Sequence, residues 1–368
     1  MHRTARRLIP ILVISPIAAG GILLTAPTAQ AARPVSPRPI VHDAADTKTE
    51  QGVVKRFWTP AKMEAAKPLD LVRSRAGRTT TAPGGGTAVA PGARSVKRAD
   101  TPATPATPTP SPSAPASASA SPSPSATPST TPAAPAALSS RSSGAAWTAG
   151  GTVVKTEGRV FFTYQGRSAS CSGTAVTSAN KSVVITAGHC VKLGGAFHTN
   201  WVFVPGYDNG SRPYGTWIAT NLLTTTQWNA TEDMNYDMAA AVVAPLNGQL
   251  LTDVVGGQGV AFNQARGRQM YAFGYPAASP YNGSKLIYCA GRVFEDYLVS
   301  TDQGLSCDMT GGSSGGGWFQ NFDQRTGAGT LNSVNSFKYN FAPYWMFGPY
   351  FGPEAQAVYT TAQTEDAT

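Results

Sequence analysis

From Trp147 onward, short apolar runs alternate with clusters of Gly, Asn, Pro and Ser. Runs rich in Val, Phe, Tyr, Trp and Thr predict strands over 159–164, 182–187, 201–205, 215–220, 237–245, 269–275, 285–290, 317–320 and 330–338. Turn chemistry such as Asp208-Asn209-Gly210 and Asn282-Gly283-Ser284 separates them. Helical periodicity is confined to 353–363, which predicts one short C-terminal helix. So many short strands fit an all-β barrel or sandwich, and no repeat of fixed period is present.

Upstream the pattern changes. Every residue between Thr101 and Ala137 is Pro, Ser, Ala or Thr. Such a stretch buries too little apolar surface to offset the entropy of ordering, so it reads as a semi-rigid spacer open to glycosylation. The first 31 residues read as an export signal. Arg3, Arg6 and Arg7 precede an apolar stretch, and Ala29-Gln30-Ala31 is a cleavage site. The stretch is short and broken by Pro10, Pro16, Gly20 and Gly21, which speaks against an uncleaved anchor.

Residues 32–100 are either a pro-segment or plain disordered chain. Val53, Val54, Phe57, Trp58, Met63, Leu69, Leu71 and Val72 are scattered through 51–72, as in a short helical or docking element. Lys97-Arg98 and Arg141 lie in soft sequence where proteolytic trimming is easy. The organisation expected is a signal peptide (1–31), a pro-segment (32–100), a linker (101–145) and a folded domain (146–368).

Charge separates these parts. The chain carries +9 in total, yet residues 146–368 hold 12 Lys and Arg against 14 Asp and Glu, a net −2. The basic excess belongs to the N-terminal part, so the folded part is not a nucleic-acid binder. All four Cys lie in the folded part, and in an exported chain they suggest two disulfides. Local pairing joins Cys171 to Cys190 and Cys289 to Cys307, but counting alone leaves three pairings open. Each local bridge closes a loop of about 20 residues and contributes roughly 3 kcal/mol. The spacing of a zinc site is absent.

Three local signals carry chemistry. Val183-Val184-Ile185-Thr186-Ala187-Gly188-His189-Cys190 leads an apolar strand through small residues to a histidine. Only His189 and His198 lie in the folded part. Asp237 opens an apolar strand, and a buried carboxylate there demands partners; Asp233 is its nearby rival. In 310–318, Thr-Gly-Gly-Ser-Ser-Gly-Gly-Gly-Trp, glycines let consecutive N–H groups converge on one spot, as an oxyanion hole requires.

In the order His189, Asp237, Ser314, these motifs resemble the trypsin-like (chymotrypsin-fold) serine peptidases. The resemblance rests on residues 186–190, 237–239 and 312–316. It implies two six-stranded antiparallel β-barrels, here preceded by a disordered N-terminal region, with the site in the cleft between them. It also implies that Ser314 is the nucleophile, that His189 is the base oriented by Asp237, and that the N–H groups of Gly312 and Ser314 hold the oxyanion. Cys171–Cys190 resembles the family's disulfide beside the catalytic histidine.

Ser313 stands where digestive members carry Asp. That shifts the resemblance toward the bacterial branch near the glutamyl endopeptidases, and activation by an inserted N-terminal ammonium is not implied. The substrate pocket would draw on Asp308, Ser336, Phe337 and Lys338. Asp308 matches the position that gives trypsin its preference for Arg and Lys. Lys338 favours acidic or polar substrates instead, and Asn335 replaces the pocket histidine of glutamyl-specific members. Basic, acidic and other preferences therefore stay open.

The reading is a secreted serine endopeptidase, extracellular or associated with the cell wall. It acts as a monomer on protein or peptide substrates, with no organic cofactor, no catalytic metal, no nucleic acid and no membrane after signal removal. A structural calcium stays open. The alternative is a catalytically silent, peptidase-like binding protein displayed on a spacer. An esterase fits less well, because its G-x-S-x-G turn runs from strand to helix and the residues after Gly317 read as strand.

Overall fold

The computed structural model describes residues 37–74, 79–81 and 141–367, all within the unit Ser36–Thr368. The signal peptide and the spacer over 101–137 lie outside the described residues. No helix among the described residues is long and apolar enough to cross a membrane.

The first half is a closed barrel. Its strands Glu157–Tyr164, Arg167–Val176, Val183–Thr186, Ala239–Val243, Trp217–Thr224 and Thr199–Pro205 pair in that circular order, all antiparallel. Val160, Val184, Val202 and Leu222 are completely buried within it. Most of these strands follow the alternation in the sequence. Arg167–Val176 does not, because Ser, Ala and Gly dominate it and such residues have low strand propensity.

The second half holds two six-stranded sheets. One runs through Gly259–Val260, Ala328–Val334, Gly317–Asp323, Gln269–Gly274, Ile287–Arg292 and Arg141–Ala146. The other runs through Phe294–Glu295, Gln303–Ser306, Ala342–Gly348, Phe337–Tyr339, Leu71–Arg73 and Thr79–Thr81. A second closed six-stranded barrel is not shown among the described residues, whose second half pairs into these two sheets. The edge of Phe337–Tyr339 pairs with the N-terminal segment rather than with a strand of its own half. The first of these sheets also reaches back to Arg141, upstream of residue 146. The C-terminal helix forms as Pro353–Ala362 and buries Ala355 and Val358.

The expectation of a disordered N-terminal region fails for residues 37–74. Helix Lys48–Phe57 starts at a capping box, in which Thr47 and Glu50 satisfy each other's backbone N–H groups. Helix Pro60–Ala65 starts at Thr59 with Pro in its first turn. Strand Ile40–Asp43 pairs with the second half of Trp217–Thr224. Trp58, Met63, Leu69 and Leu71 are buried, each contributing roughly 2 kcal/mol. That apolar burial is what spacer-like chain lacks.

Candidate active site

The buried strand Val183–Thr186 runs into a short 3-10 turn, Gly188–Cys190. A disulfide ties Cys190 to Cys171 on the neighbouring strand and anchors that turn; the second bridge joins Cys289 and Cys307. Gly188 leaves room for a carboxylate, since a Cβ there would lie 2.9 Å from Asp237 Oδ1. Asp237 follows the turn Met234–Tyr236. Its Oδ1 accepts the His189 N–H at 2.7 Å, and its Oδ2 lies 2.7 Å from His189 Nδ1. Ser336 Oγ donates to the same Oδ2 at 2.5 Å. Both His189 and Asp237 are fully buried. Three bonds satisfy the buried carboxylate and fix the histidine with Nδ1 protonated and Nε2 as the basic nitrogen. Among the described residues His189 Nε2 has no hydrogen-bond partner.

The rival residues have other work. Asp233 accepts from the Asn235 N–H and Nδ2 and caps the turn ahead of Asp237. His198 Nε2 bonds to the His189 carbonyl at 2.9 Å, and the ring stacks on Phe162. Burial pushes His198 down to about 4, so it is a neutral support at physiological pH.

The glycine loop of residues 311–317 is pinned from several directions. Gly312 and Gly315 hold φ of +94° and +80°, where a side chain would be strained. Ser172 donates its N–H to the Ser314 carbonyl at 2.7 Å and its hydroxyl to the Gly312 carbonyl at 2.8 Å, while accepting the Tyr275 N–H. Asn335 Nδ2 donates to the Ser313 carbonyl, and the Asn335 carbonyl accepts the Gly315 N–H. A side chain on Gly315 would collide with Thr186 and Ala187. The loop is thereby pressed against the residues that lead to His189.

A peptide lies across this site, and it is the chain's own. Lys67–Pro68 pairs parallel with Ala169–Ser170, and the Leu69 N–H donates to the Ser170 carbonyl at 2.9 Å. The Leu69 carbonyl accepts the Gly312 N–H at 3.1 Å. Ser314 Oγ, nearly buried, points its hydroxyl at the same carbonyl over 3.5 Å. Leu71–Arg73 then pairs parallel with Phe337–Tyr339, and the Asn340 N–H donates to the Arg73 carbonyl.

The pocket residues divide. Asp308 Oδ1 accepts the Gly144 N–H and the Tyr281 hydroxyl, each at 2.7 Å. Ser336 serves Asp237, and Phe337 is buried in an aromatic cluster with Tyr339 and Phe347. Lys338 is buried, its Nζ bonded to the Cys307 and Pro343 carbonyls. Sequence reasoning did not single out Ser172, Asp70 or the anchoring role of Asn335. The small residues of 167–176 are the signal for the first, since only a slim strand admits the loop so closely. Among the described residues, the one group of three metal-capable donors is Cys171, His189 and Cys190. Its sulfurs are joined in a disulfide and its Nδ1 faces Asp237, so its donors do not suit an ion.

The chain is similar to the protease Anisep of Arthrobacter nicotinovorans, at 50% sequence identity. That match covers 58% of this chain and 98% of the other, with a TM-score of 0.56. It is also similar to AL20, a thermostable serine protease from an extremophilic microorganism, at 43% identity over 58% of this chain and 100% of that one, with a TM-score of 0.56. A stretch of 71 residues is 35% identical to an extracellular metalloprotease of Bacillus subtilis (strain 168) and covers 19% of this chain. The chain spans only 22% of that relative's length. No protein-family model matches the chain.

Proposed function

Because the chain belongs to the chymotrypsin-fold serine peptidases, we propose that it is a secreted serine endopeptidase, made as a latent precursor, with Ser314, His189 and Asp237 as its catalytic residues. The observation that carries this reading is a main-chain carbonyl, that of Leu69, held by the Gly312 N–H and faced by the Ser314 hydroxyl. A peptide carbonyl about to be attacked needs the same surroundings.

The chemistry follows from the groups present. Ser314 Oγ attacks the carbonyl carbon of a bound peptide. His189 Nε2 takes the hydroxyl proton and returns it to the leaving amine as the C–N bond breaks; water, deprotonated by the same nitrogen, then hydrolyses the acyl-enzyme ester and returns Ser314 to its hydroxyl form. Asp237 holds the imidazole in the required tautomer and stabilises the imidazolium, and Ser336 helps to hold Asp237. The N–H groups of Gly312 and Ser314 stabilise the oxyanion, each worth roughly 3 kcal/mol in the transition state. In this structure the Ser314 hydroxyl faces Leu69 rather than His189. Release of residues 67–73 frees it to turn to Nε2.

Residues 37–74 act as a pro-segment in this reading, covering the cleft until they are removed. Export fits the disulfides and the extracellular relative. The metal chemistry named for that relative finds no support in the residues around His189.

Hydrolysis by the processed, secreted chain tests the assignment. Ser314→Ala abolishes turnover, and Asp237→Asn lowers it roughly 10⁴-fold by leaving His189 in the wrong tautomer. Asp233→Asn retains most of the activity. Wild-type turnover in purified Ser314→Ala, or a loss produced by Asp233→Asn instead of Asp237→Asn, contradicts the assignment.

A further inference from the structure

A lysine and an aspartate share the cleft beside Ser314. Lys338 is buried, and its Nζ donates to the Cys307 carbonyl at 3.1 Å and the Pro343 carbonyl at 2.5 Å. Both acceptors are uncharged, so they hold the ammonium without neutralising it. Asp308, next to Cys307, has its Oδ1 engaged by Gly144 and Tyr281.

Asp70 brings the opposite charge. It sits between Leu69, whose carbonyl takes the Gly312 N–H, and Leu71, which pairs with Phe337. Val72 pairs with Lys338, so their side chains share one face of the sheet. Asp70, two residues before Val72, belongs to that face too. Asp70 packs on Gly311, where an added Cβ would lie 2.7 Å from Asp70 Cβ and 3.2 Å from its Oδ2. Burial raises the Asp70 pKa, and Lys338 is the foremost group opposing that rise, ahead of His189.

We propose that Lys338 makes the pocket beside Ser314 selective for an acidic side chain, and that the N-terminal segment, parallel to Phe337–Tyr339, lies in the reverse direction to a substrate, so that Asp70 rather than Leu69 is the chain's own occupant of that pocket. The proposal rests on the serine endopeptidase reading above. When the pro-segment leaves, the buried Lys338 loses Asp70, the foremost of the two carboxylates whose charge favours its ammonium, Asp308 being the other. A substrate Glu or Asp restores the pair, whereas a substrate Arg or Lys meets a like charge in a site of low dielectric. Lys338 is thus a specificity-determining residue.

The test uses the processed, secreted enzyme and peptide nitroanilides that differ only in the residue before the cleaved bond: Glu, Asp, Gln, Arg or Lys. The expected kcat/KM for Glu exceeds that for Gln and Arg by about 100-fold. Lys338→Gln, which keeps a donor for the two carbonyls, collapses the Glu-to-Gln ratio toward one. Lys338→Glu moves the preference to Arg. Titration of each sample with a fluorophosphonate, which needs no particular side chain, counts the folded active sites and separates misfolding from altered selectivity. Equal rates for Glu, Gln and Arg, a preference for Arg, or a fully titrated Lys338→Gln enzyme that still prefers Glu overturns the proposal while the peptidase reading stands. A processed wild-type chain that takes no label overturns both.

Discussion

Glu157 is a carboxyl group with no counter-charge bonded to it among the described residues. It is fully buried at the start of strand Glu157–Tyr164, with Oε1 accepting from Thr174 Oγ1 at 2.5 Å and from the Gly317 N–H at 3.3 Å. Burial pushes its pKa from 4.5 up to about 8. Between those values the folded chain holds a proton that the unfolded chain has lost. Folding stability from this group is therefore full below about 4.5, falls as pH rises to about 8, and is level above. Glu157→Gln keeps the shape and removes the titration. Its stability relative to wild type, from denaturant unfolding, should rise by several kcal/mol between pH 5 and pH 8. A difference that does not vary with pH contradicts the assignment. Individual residues were legible in the sequence to different degrees. His189 stood out from His198 through its approach, Thr186-Ala187-Gly188, which the glycine loop and Asp237 need to be slim. Ser172 was not legible, because a serine among small residues gives no sign that its hydroxyl will meet a loop 140 residues away.

At the scale of elements, strand Arg141–Ala146 decides where a trimmed chain can begin. It pairs with Ile287–Arg292, and the Gly144 N–H reaches Asp308. Gly144 has no room for a side chain, since a Cβ there would lie 2.5 Å from the Tyr281 hydroxyl oxygen. A chain trimmed to begin at Ala146 should melt several degrees below one that begins at Arg141. In the longer chain Gly144→Val should reproduce much of that loss. Equal melting temperatures for the two starts would show the strand to be dispensable. The boundary at residue 146 followed the change in composition, and Arg-Ser-Ser-Gly-Ala-Ala has little in it that favours a strand. It pairs because an open edge is available. The N-terminal helices were more legible. Thr47 with Glu50, and Thr59 with Pro60, are helix start signals within reach of Trp58 and Met63. The apolar residues of 51–72 suggested a docking element, but a sequence pattern does not say what such an element docks on. Leu71–Arg73, with Thr79–Thr81 beside it, joins a sheet whose other four strands lie more than 200 residues downstream.

For the whole molecule, one segment spans both halves. Residues 37–74 add a strand to the barrel, lay Leu69 across the glycine loop and add another strand to the second half. Part of the basic N-terminal sequence is thus joined to the acidic residues 146–368 by ordered structure. Among the described residues the second half pairs into two sheets, and this segment takes one edge of Phe337–Tyr339. A cleft so covered is closed to solvent-borne reagents except when the segment lifts. The direct measurement is the rate at which a fluorophosphonate labels Ser314 in the full-length chain and in the processed chain, followed by intact mass and peptide mapping. The processed chain should take one label, on Ser314. The full-length chain should label about 100-fold more slowly, as for a cleft open about 1% of the time. A full-length chain that labels as fast as the processed one, or a processed and disulfide-bonded chain that takes no label, would contradict the account of a serine peptidase held latent by its own N-terminal segment.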